Sequence, residues 1–438
     1  MRSRIIIGLF RATCKWLVIL ACILTTWLFA RIYQELLSAY EQSGRLMDIE
    51  YSWCFRLLLN IGGYLTVLLP GFILYKYLDR SNYFDKIGNS THLSRALYAC
   101  FGEPNERLPD SVKPSKVDET PSRESAELAF CFTGLMGAYL VWGLLQEKIM
   151  TQNYVMSDGT LIKFNDSQFL VFINRMLAFL VALGRLLWTR QPLVSAPLYK
   201  FSYCSVTNIV STWCQYEALK YVSFPTQVLS KSCKVIPVML MGKLISRNKY
   251  ELYEYVTAVM ISVGMVLFMF GSHDDYTVST VTTMSGLTLL ALYMLCDSFT
   301  SSWQGALFTR YNCTSLQMLC GVNLFSCALT AAALAQHNTT IHSLRLLQHP
   351  VFAMDCLLLS ASSAVGQLLI YRTIARFGAV VFTIIMTLRQ AVSILLSCAV
   401  YGHRISGGGG AGVLLVFGAV LLRLYCRHRL RRRRTTHA

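Results

Sequence analysis

Charged side chains are scarce in this sequence. Asp, Glu, Lys and Arg together make up 14% of the 438 residues, whereas they account for about a quarter of an ordinary soluble domain. Apolar residues make up 54%, and the mean hydropathy is +0.45. A chain this poor in charge and this rich in apolar residues indicates a polytopic membrane protein and argues against a soluble domain.

The sequence also lacks the usual signatures of metal sites and of catalysis. It has no CxxC pair, and its eight histidines form no HxxxH pair, so we expect no metal site and no cofactor. No HExxH, GxSxG or DFG-type motif occurs, and the run Gly407 to Gly410 is not followed by the residues of a phosphate-binding loop. None of the fifteen cysteines falls in a predicted lumenal loop, so no disulfide framework is implied. These absences argue against an enzyme.

Long apolar segments recur instead along nearly the whole chain. Each has about 20 residues or more, enough to cross about 30 Å of hydrocarbon as a helix. The first carries Arg11 and Lys15 and lacks a clear cleavage site, so we interpret it as a retained helix and not as a signal peptide. We predict twelve membrane-spanning helices, at 5–30, 53–78, 126–146, 168–188, 199–219, 222–244, 252–271, 284–308, 316–336, 351–371, 379–400 and 407–425.

Basic residues predict the orientation of these helices. The net charge is +17, and arginines cluster at the C-terminal end, at Arg423, Arg427, Arg429 and 431–434. Basic residues next to a membrane helix favour the cytosolic side, and twelve crossings then place the N-terminus in the cytosol as well. The sequon at Asn338 falls in a predicted lumenal loop, in agreement with this orientation.

The chain is predicted to divide around one polar segment, 79–125, which is rich in Pro, Ser and charge and shows no apolar periodicity. We interpret it as a cytosolic linker without regular structure. It separates two N-terminal helices (1–78) from ten that form two halves, 126–271 and 272–425, followed by a basic tail, 426–438. Two five-helix repeats must lie in opposite orientations, which is typical of carriers with a midplane substrate site. The alternative is that hydropathy repeats arise trivially in any many-helix protein.

Two lysines lie inside the predicted helix 222–244. Gln227, Lys231 and Lys234 are spaced i, i+4 and i+7, so they share one helical face. A charged side chain at bilayer depth costs about 2.5–3.5 kcal/mol or more, which favours a cavity that binds an anion. The alternative is that the lysines reach to an interface. Pro237 favours a bend in the same helix.

Arg389 lies similarly deep in the second half. Its guanidinium offers a planar fork that suits phosphate or sulfate oxygens. The alternative is an ion pair with an intramembrane acid, for which Asp297, Asp355 and Glu147 are candidates.

Further residues are candidates for the same site. Glu147 is a possible gate that pairs with either lysine when substrate is absent, and Arg175 is a further intramembrane cation. Tyr139 and Tyr293, with Trp142 and Trp303, are candidates to stack a base, although aromatic residues of membrane helices more often pack or anchor.

A family resemblance rests on GLLQEK (143–148), Asn174-Arg175, SKSCKVIPVM (230–239) and TLRQAVSILLS (387–397). These segments resemble the nucleotide-sugar transporters of the drug/metabolite transporter superfamily, over about 126–425. The resemblance implies an all-α fold with ten core helices in two inverted halves, here with two extra N-terminal helices, in a Golgi or endoplasmic reticulum membrane. It also implies that Gln227, Lys231, Lys234 and Arg389 form the basic phosphate site and that Glu147 is its acidic residue. Many relatives have a lysine where this chain has Gln390.

The extra helices, the linker and the sequence around Lys234 more specifically resemble Golgi members that carry adenosine 3′-phospho 5′-phosphosulfate. The resemblance implies exchange of this nucleotide for a lumenal one, which supplies sulfotransferases. The same fold could instead carry a nucleotide sugar or exchange ATP and ADP. A membrane-embedded transferase and a non-transporting scaffold are the alternatives from other classes.

Overall fold

The computed structural model is helical nearly throughout the part of the chain that it describes. Those residues are 31, 35, 52–80, 92–102, 121–151, 153–155, 161–164, 167–192, 195–218, 221–222, 231, 233–247, 250–271, 284–335, 347–401 and 407–436. The helices within them are α1 (Ser52–Arg80), α2 (His92–Phe101), α3 (Pro121–Thr151), α4 (Ser167–Trp188), α5 (Tyr199–Ala218), α6 (Val235–Ser246), α7 (Leu252–Gly271), α8 (Met284–Tyr311), α9 (Ser315–Ala335), α10 (Pro350–Phe377), α11 (Ala379–Tyr401) and α12 (Gly407–Thr436).

The prediction of an all-α chain with many apolar helices is confirmed, apart from one short hairpin. Its strands, β1 (Asn153–Val155) and β2 (Leu161–Lys163), pair antiparallel between α3 and α4. Among the described residues, three helical segments are long and apolar enough to span a membrane: Ser122–Gln146, Phe169–Trp188 and Pro350–Phe377. Five further apolar helical segments are shorter. The predicted segment 5–30 lies outside the described residues.

The polar segment 79–125 contains a helix, so the prediction that it lacks apolar periodicity is wrong at α2. Leu93, Ala96, Leu97, Cys100 and Phe101 are spaced i, i+3, i+4, i+7 and i+8, which is the pattern of an amphipathic helix. The charged residues that follow α2 in the sequence hide this stripe when the whole segment is averaged.

Tertiary contacts hold α2 in place. The ring of Phe101 lies 5.8 Å from that of Tyr75 in α1 and 6.3 Å from that of Tyr199 in α5. The backbone N–H of Leu198 donates to the carbonyl oxygen of Ala99 at 3.2 Å. Burial also raises the pKa of the Cys100 thiol. The stripe of α2 is therefore used for packing, as an amphipathic face requires.

The described residues form two compact units. Unit 1 is built from residues within 1–113, 144–202 and 320–361, and unit 2 from residues within 114–143, 203–319 and 362–438.

In unit 1, α4 presents a fully buried stripe. Asn174, Ala178, Ala182 and Leu186 follow each other at intervals of four residues and are all buried. The Oγ of Ser360 in α10 donates to Oδ1 of Asn174 at 2.7 Å, which satisfies the amide oxygen. Asn174, predicted as part of a family motif, thus serves helix packing in this unit.

In unit 2, α7 packs along α12, and α6 packs against α7, α8 and α11. A Cβ on Gly264 in α7 would lie 2.8 Å from Cγ2 of Val416 in α12, so the two backbones approach closely there. Arg423 of α12 also donates to Glu254 of α7 at 2.9 Å. The core that surrounds α6 contains Val235, Val238, Met239, Ala258, Ile261, Val380, Ile384 and Ala419. This core fixes the two helices, α6 and α11, that follow or carry the predicted cations.

Candidate functional site

The predicted helix 222–244 is interrupted at the lysines. Lys231 is helical, Cys233 and Lys234 form a turn, and α6 begins at Val235. The N–H of Val238 donates to the carbonyl oxygen of Lys234 at 3.1 Å, which starts the new helix. Prediction of one continuous helix is therefore wrong, whereas the predicted irregularity near Pro237 is confirmed.

Pro237 accounts for the position of this interruption. It is the third residue of α6, where a backbone N–H has no acceptor within the helix, so its missing N–H costs no hydrogen bond. Its ring would conflict with the carbonyl group four residues earlier, that of Cys233, if the helix continued. The turn at Cys233 and Lys234 avoids that conflict.

Lys234 forms an ion pair with Asp297 of α8, in which Nζ contacts Oδ2. The two side chains are 14% and 23% exposed, so the pair is largely withdrawn from solvent. Asp297 was predicted as a possible partner of Arg389, and the structure assigns it to Lys234 instead. An acid inside a membrane protein requires such a partner, because an unpaired buried charge is costly.

Arg389 of α11 lies over an aromatic ring. Its guanidinium carbon is 4.6 Å from the centroid of the Tyr139 ring in α3, within the range of a cation–π contact. Its Nε is buried and has no hydrogen-bond partner among the described residues. A buried N–H that donates to nothing costs about 1–3 kcal/mol. The Arg389 fork thus lies over Tyr139, and no described residue accepts from its Nε–H.

Four charged groups of unit 2 are electrostatically coupled. They are Lys231, which is partly buried, and the three groups with which it interacts: Arg389, Asp297 and Lys234. Tyr293 of α8 is 7% exposed and interacts with Asp297 and Tyr139. Three cations and one carboxylate leave an excess of two positive charges in this cluster. An anionic ligand is the partner that such an excess favours.

The structure brings together five of the eight predicted site residues. Lys231, Lys234, Arg389, Tyr139 and Tyr293 all belong to unit 2 and interact as described. Arg175 belongs to unit 1, where it interacts with Cys327 of α9.

The other predicted positions lie outside the described residues or side chains. Gln227 is outside the described residues, and the side chains of Glu147 and Gln390 are outside those described. The roles of these three residues stay predictions.

Another acid, the buried Asp355, has its own partners in unit 1. Lys148 donates to Oδ1 at 2.8 Å, and the Tyr154 hydroxyl in β1 donates to Oδ2 at 3.4 Å. Burial, and then the charge of Asp355, raise the pKa of Tyr154 to about 12. Asp355 is therefore not the partner of Arg389. Sequence reasoning missed this cluster because Lys148 and Asp355 lie far apart in the chain.

Comparison with known proteins gives a consistent family. The model of the UAA transporter family matches residues 127–427. The chain is 52% identical over 439 residues to adenosine 3′-phospho 5′-phosphosulfate transporter 1 of Drosophila melanogaster, covering 95% of this chain and 94% of that protein. It is 48% identical over 388 residues to the human protein of the same name, covering 87% and 89%.

More distant relatives carry other names. UDP-galactose/UDP-glucose transporter 5B of Arabidopsis thaliana is 39% identical over 297 residues, which cover 66% of this chain and 86% of that protein. The family model spans more than half of the chain, and the animal relatives match nearly all of it. The chain therefore belongs to the UAA transporter family and is a transporter rather than an enzyme.

Proposed function

We propose that this protein carries adenosine 3′-phospho 5′-phosphosulfate from the cytosol into the Golgi lumen, in exchange for a lumenal nucleotide. The observation that carries the proposal is the excess of positive charge in the cluster of Lys231, Lys234, Arg389 and Asp297. The substrate has about four negative charges, on a 3′-phosphate and a 5′-phosphosulfate. The relatives named for this substrate support the choice of nucleotide.

The individual groups suit separate parts of such a ligand. The Arg389 fork matches phosphate or sulfate oxygens, and its buried Nε gains the acceptor that it lacks among the described residues. Lys231 adds a point charge next to it. The rings of Tyr139 and Tyr293 lie in the same cluster and are proposed to contact the adenosine part.

The charge excess also favours exchange over one-way transport. If the carrier closed around an empty site, it would bury about two unbalanced positive charges, which costs free energy. A bound nucleotide on either side removes that cost, so the carrier reorients when loaded and not when empty. Alternating access is proposed to move the site between the two membrane faces.

The architecture that we propose for this cycle is two inverted five-helix halves, 126–271 and 272–425, after two N-terminal helices in 1–78 and a cytosolic linker at 79–125. Both termini, including the tail 426–438, then lie in the cytosol. Support comes from α6 and α11, which the sequence predicts at matching places in the two halves and whose residues Val235, Val238 and Ile384 pack in one core.

Uptake into proteoliposomes that contain the purified protein tests the proposal. We expect labelled adenosine 3′-phospho 5′-phosphosulfate to enter faster than ATP, UDP-sugars or GDP-sugars, and only with a nucleotide inside the vesicles. Lys231→Ala should abolish uptake, whereas Lys243→Ala, an exposed lysine of α6, should retain it. Selective uptake of UDP-galactose, the function that the name of the Arabidopsis relative indicates, would overturn the substrate assignment.

A further inference from the structure

The cations of the cluster are of two kinds. Lys234 already has a carboxylate partner, Asp297. Lys231 and Arg389, by contrast, form no ion pair with any carboxylate of the described residues. Lys231 does interact electrostatically with Asp297. The site therefore offers one region that is ready for an anion and one that is already occupied by the protein's own anion.

We propose that Asp297 is a specificity-determining residue that makes this site select nucleotides with two separated anionic groups. The inference rests on the proposed function, because it assumes that the cluster binds a nucleotide. Asp297 occupies Lys234 in the empty protein, and a second anionic group of the ligand displaces it.

A ligand with one phosphate gains little at Lys234. Its phosphate binds to Lys231 and Arg389, which form no ion pair with a described carboxylate. Lys234 stays paired with Asp297, since nothing on the ligand replaces that contact. The phosphate of such a ligand therefore uses only part of the positive charge of the site.

When a ligand has a second anionic group, that group replaces Asp297 as the partner of Lys234. A phosphate or phosphosulfate carries more negative charge than a carboxylate, so it binds the ammonium more strongly. The displaced carboxylate needs a new hydrogen-bond donor. Tyr293 lies four residues earlier on α8, on the same helical face. Tyr293 already interacts with Asp297 and can donate its hydroxyl to it.

The same exchange runs in reverse when the ligand leaves. Asp297 returns to Lys234 and competes with the departing anion for the ammonium. A carrier must release what it binds, so this competition speeds release while it lowers affinity. Asp297 is thus expected to act on affinity and on turnover in opposite directions.

Competition binding to the purified full-length protein tests the inference. Labelled adenosine 3′,5′-bisphosphate is displaced by unlabelled adenosine 3′,5′-bisphosphate or by adenosine 5′-monophosphate. We expect Asp297→Asn to tighten the bisphosphate about tenfold more than the monophosphate, which corresponds to about 1.4 kcal/mol. Lys234→Met should weaken the bisphosphate about tenfold more than the monophosphate.

Two further variants separate a local role from a general effect of charge. In a Lys234→Met background, Asp297→Asn should no longer change the ratio of the two affinities, because Asp297 acts through Lys234. Asp297→Glu should restore a ratio within about twofold of wild type. In transport, Asp297→Asn should lower KM and lower the maximal rate, a combination that a purely structural role would not produce.

The possible outcomes distinguish this inference from the proposed function. If wild-type protein binds neither nucleotide, the proposed function is wrong and the inference with it. If wild-type protein binds the bisphosphate but Asp297→Asn shifts both ligands equally, nucleotide binding stands and the selective role of Asp297 is wrong. If Asp297→Asn does not fold, Lys234→Met decides: equal weakening of both ligands contradicts the inference.

Discussion

Replacement of Arg389 by lysine is expected to change ligand binding much more than stability. The change keeps the positive charge and removes the planar fork. It also removes the buried Nε–H, which has no acceptor among the described residues. The ammonium of lysine brings three donors of its own to the same place, so loss of this N–H gives no net gain in stability. An ammonium also keeps part of the cation–π contact that the guanidinium makes 4.6 Å from the centre of the Tyr139 ring, so the ligand-free protein loses at most about 2 kcal/mol.

A loss of this size is small for a chain of 438 residues, so the Tm of the empty protein should fall by no more than about 4 °C. Ligand binding depends more strongly on the planar fork. A lysine replaces two parallel charge-assisted hydrogen bonds by one, at a cost of about 1.5–3 kcal/mol. The Kd for adenosine 3′,5′-bisphosphate should therefore rise about 10- to 100-fold in Arg389→Lys.

Thermal unfolding and competition binding on the same purified samples measure both quantities. Arg310→Lys is a matched control, because Arg310 lies 5.6 Å from the Tyr311 ring but is exposed. The control should leave both Tm and Kd unchanged. An Arg389→Lys protein that keeps wild-type affinity would refute the role of the fork, and one that loses much stability would identify Arg389 as a structural residue.

Two further predictions concern packing and ionisation. Gly264→Ala should destabilise the protein by about 1–3 kcal/mol, because its Cβ would lie 2.8 Å from Val416 of α12, whereas Gly418→Ala, with open space around it, should be neutral or slightly stabilising in thermal unfolding. The folded-state pKa of Tyr154 is raised from 10.0 to about 12 by burial and by Asp355, so its stabilising contribution is complete below pH 10 and is lost as pH rises through about 12. Tyr154→Phe should therefore lessen the fall in stability between these pH values, as measured by unfolding at each pH.

Each of these predictions has a contrary result. Equal stability of the Gly264→Ala and Gly418→Ala proteins would mean that α7 and α12 tolerate a wider separation than the structure has. An alkaline stability profile that is the same in wild type and Tyr154→Phe would mean that the Tyr154 hydroxyl stays exposed in solution.

The helices were largely predictable from the sequence because long apolar runs have few alternatives in a membrane protein. The predicted segment 379–400 corresponds to α11, Ala379–Tyr401, and the predicted segment 252–271 to α7, Leu252–Gly271. Failures occurred where a local signal was weaker than its surroundings. The apolar stripe of α2 is visible in the sequence only when these ten residues are considered apart from the polar segment around them.

The candidate site was partly predictable for a different reason. Buried cations are rare enough in apolar segments that Lys231, Lys234 and Arg389 could be selected one by one. Their partners could not be selected in this way. Whether Asp297 meets Lys234 or Arg389 depends on the rotation and packing of α6, α8 and α11, and no spacing rule within one helix encodes that.

The close contact between α7 and α12 also limits how unit 2 can deform. Glycine at position 264 lets the two backbones meet, and Arg423 ties α12 to Glu254 at another point along the pair. Sliding or separation of these two helices would break both contacts together, so we expect α7 and α12 to move as one unit. Beside this pair, the backbone at Cys233 and Lys234 is a turn and not a helix. If a ligand binds at this turn as proposed, we expect α6 to move against a helix pair that keeps its own geometry.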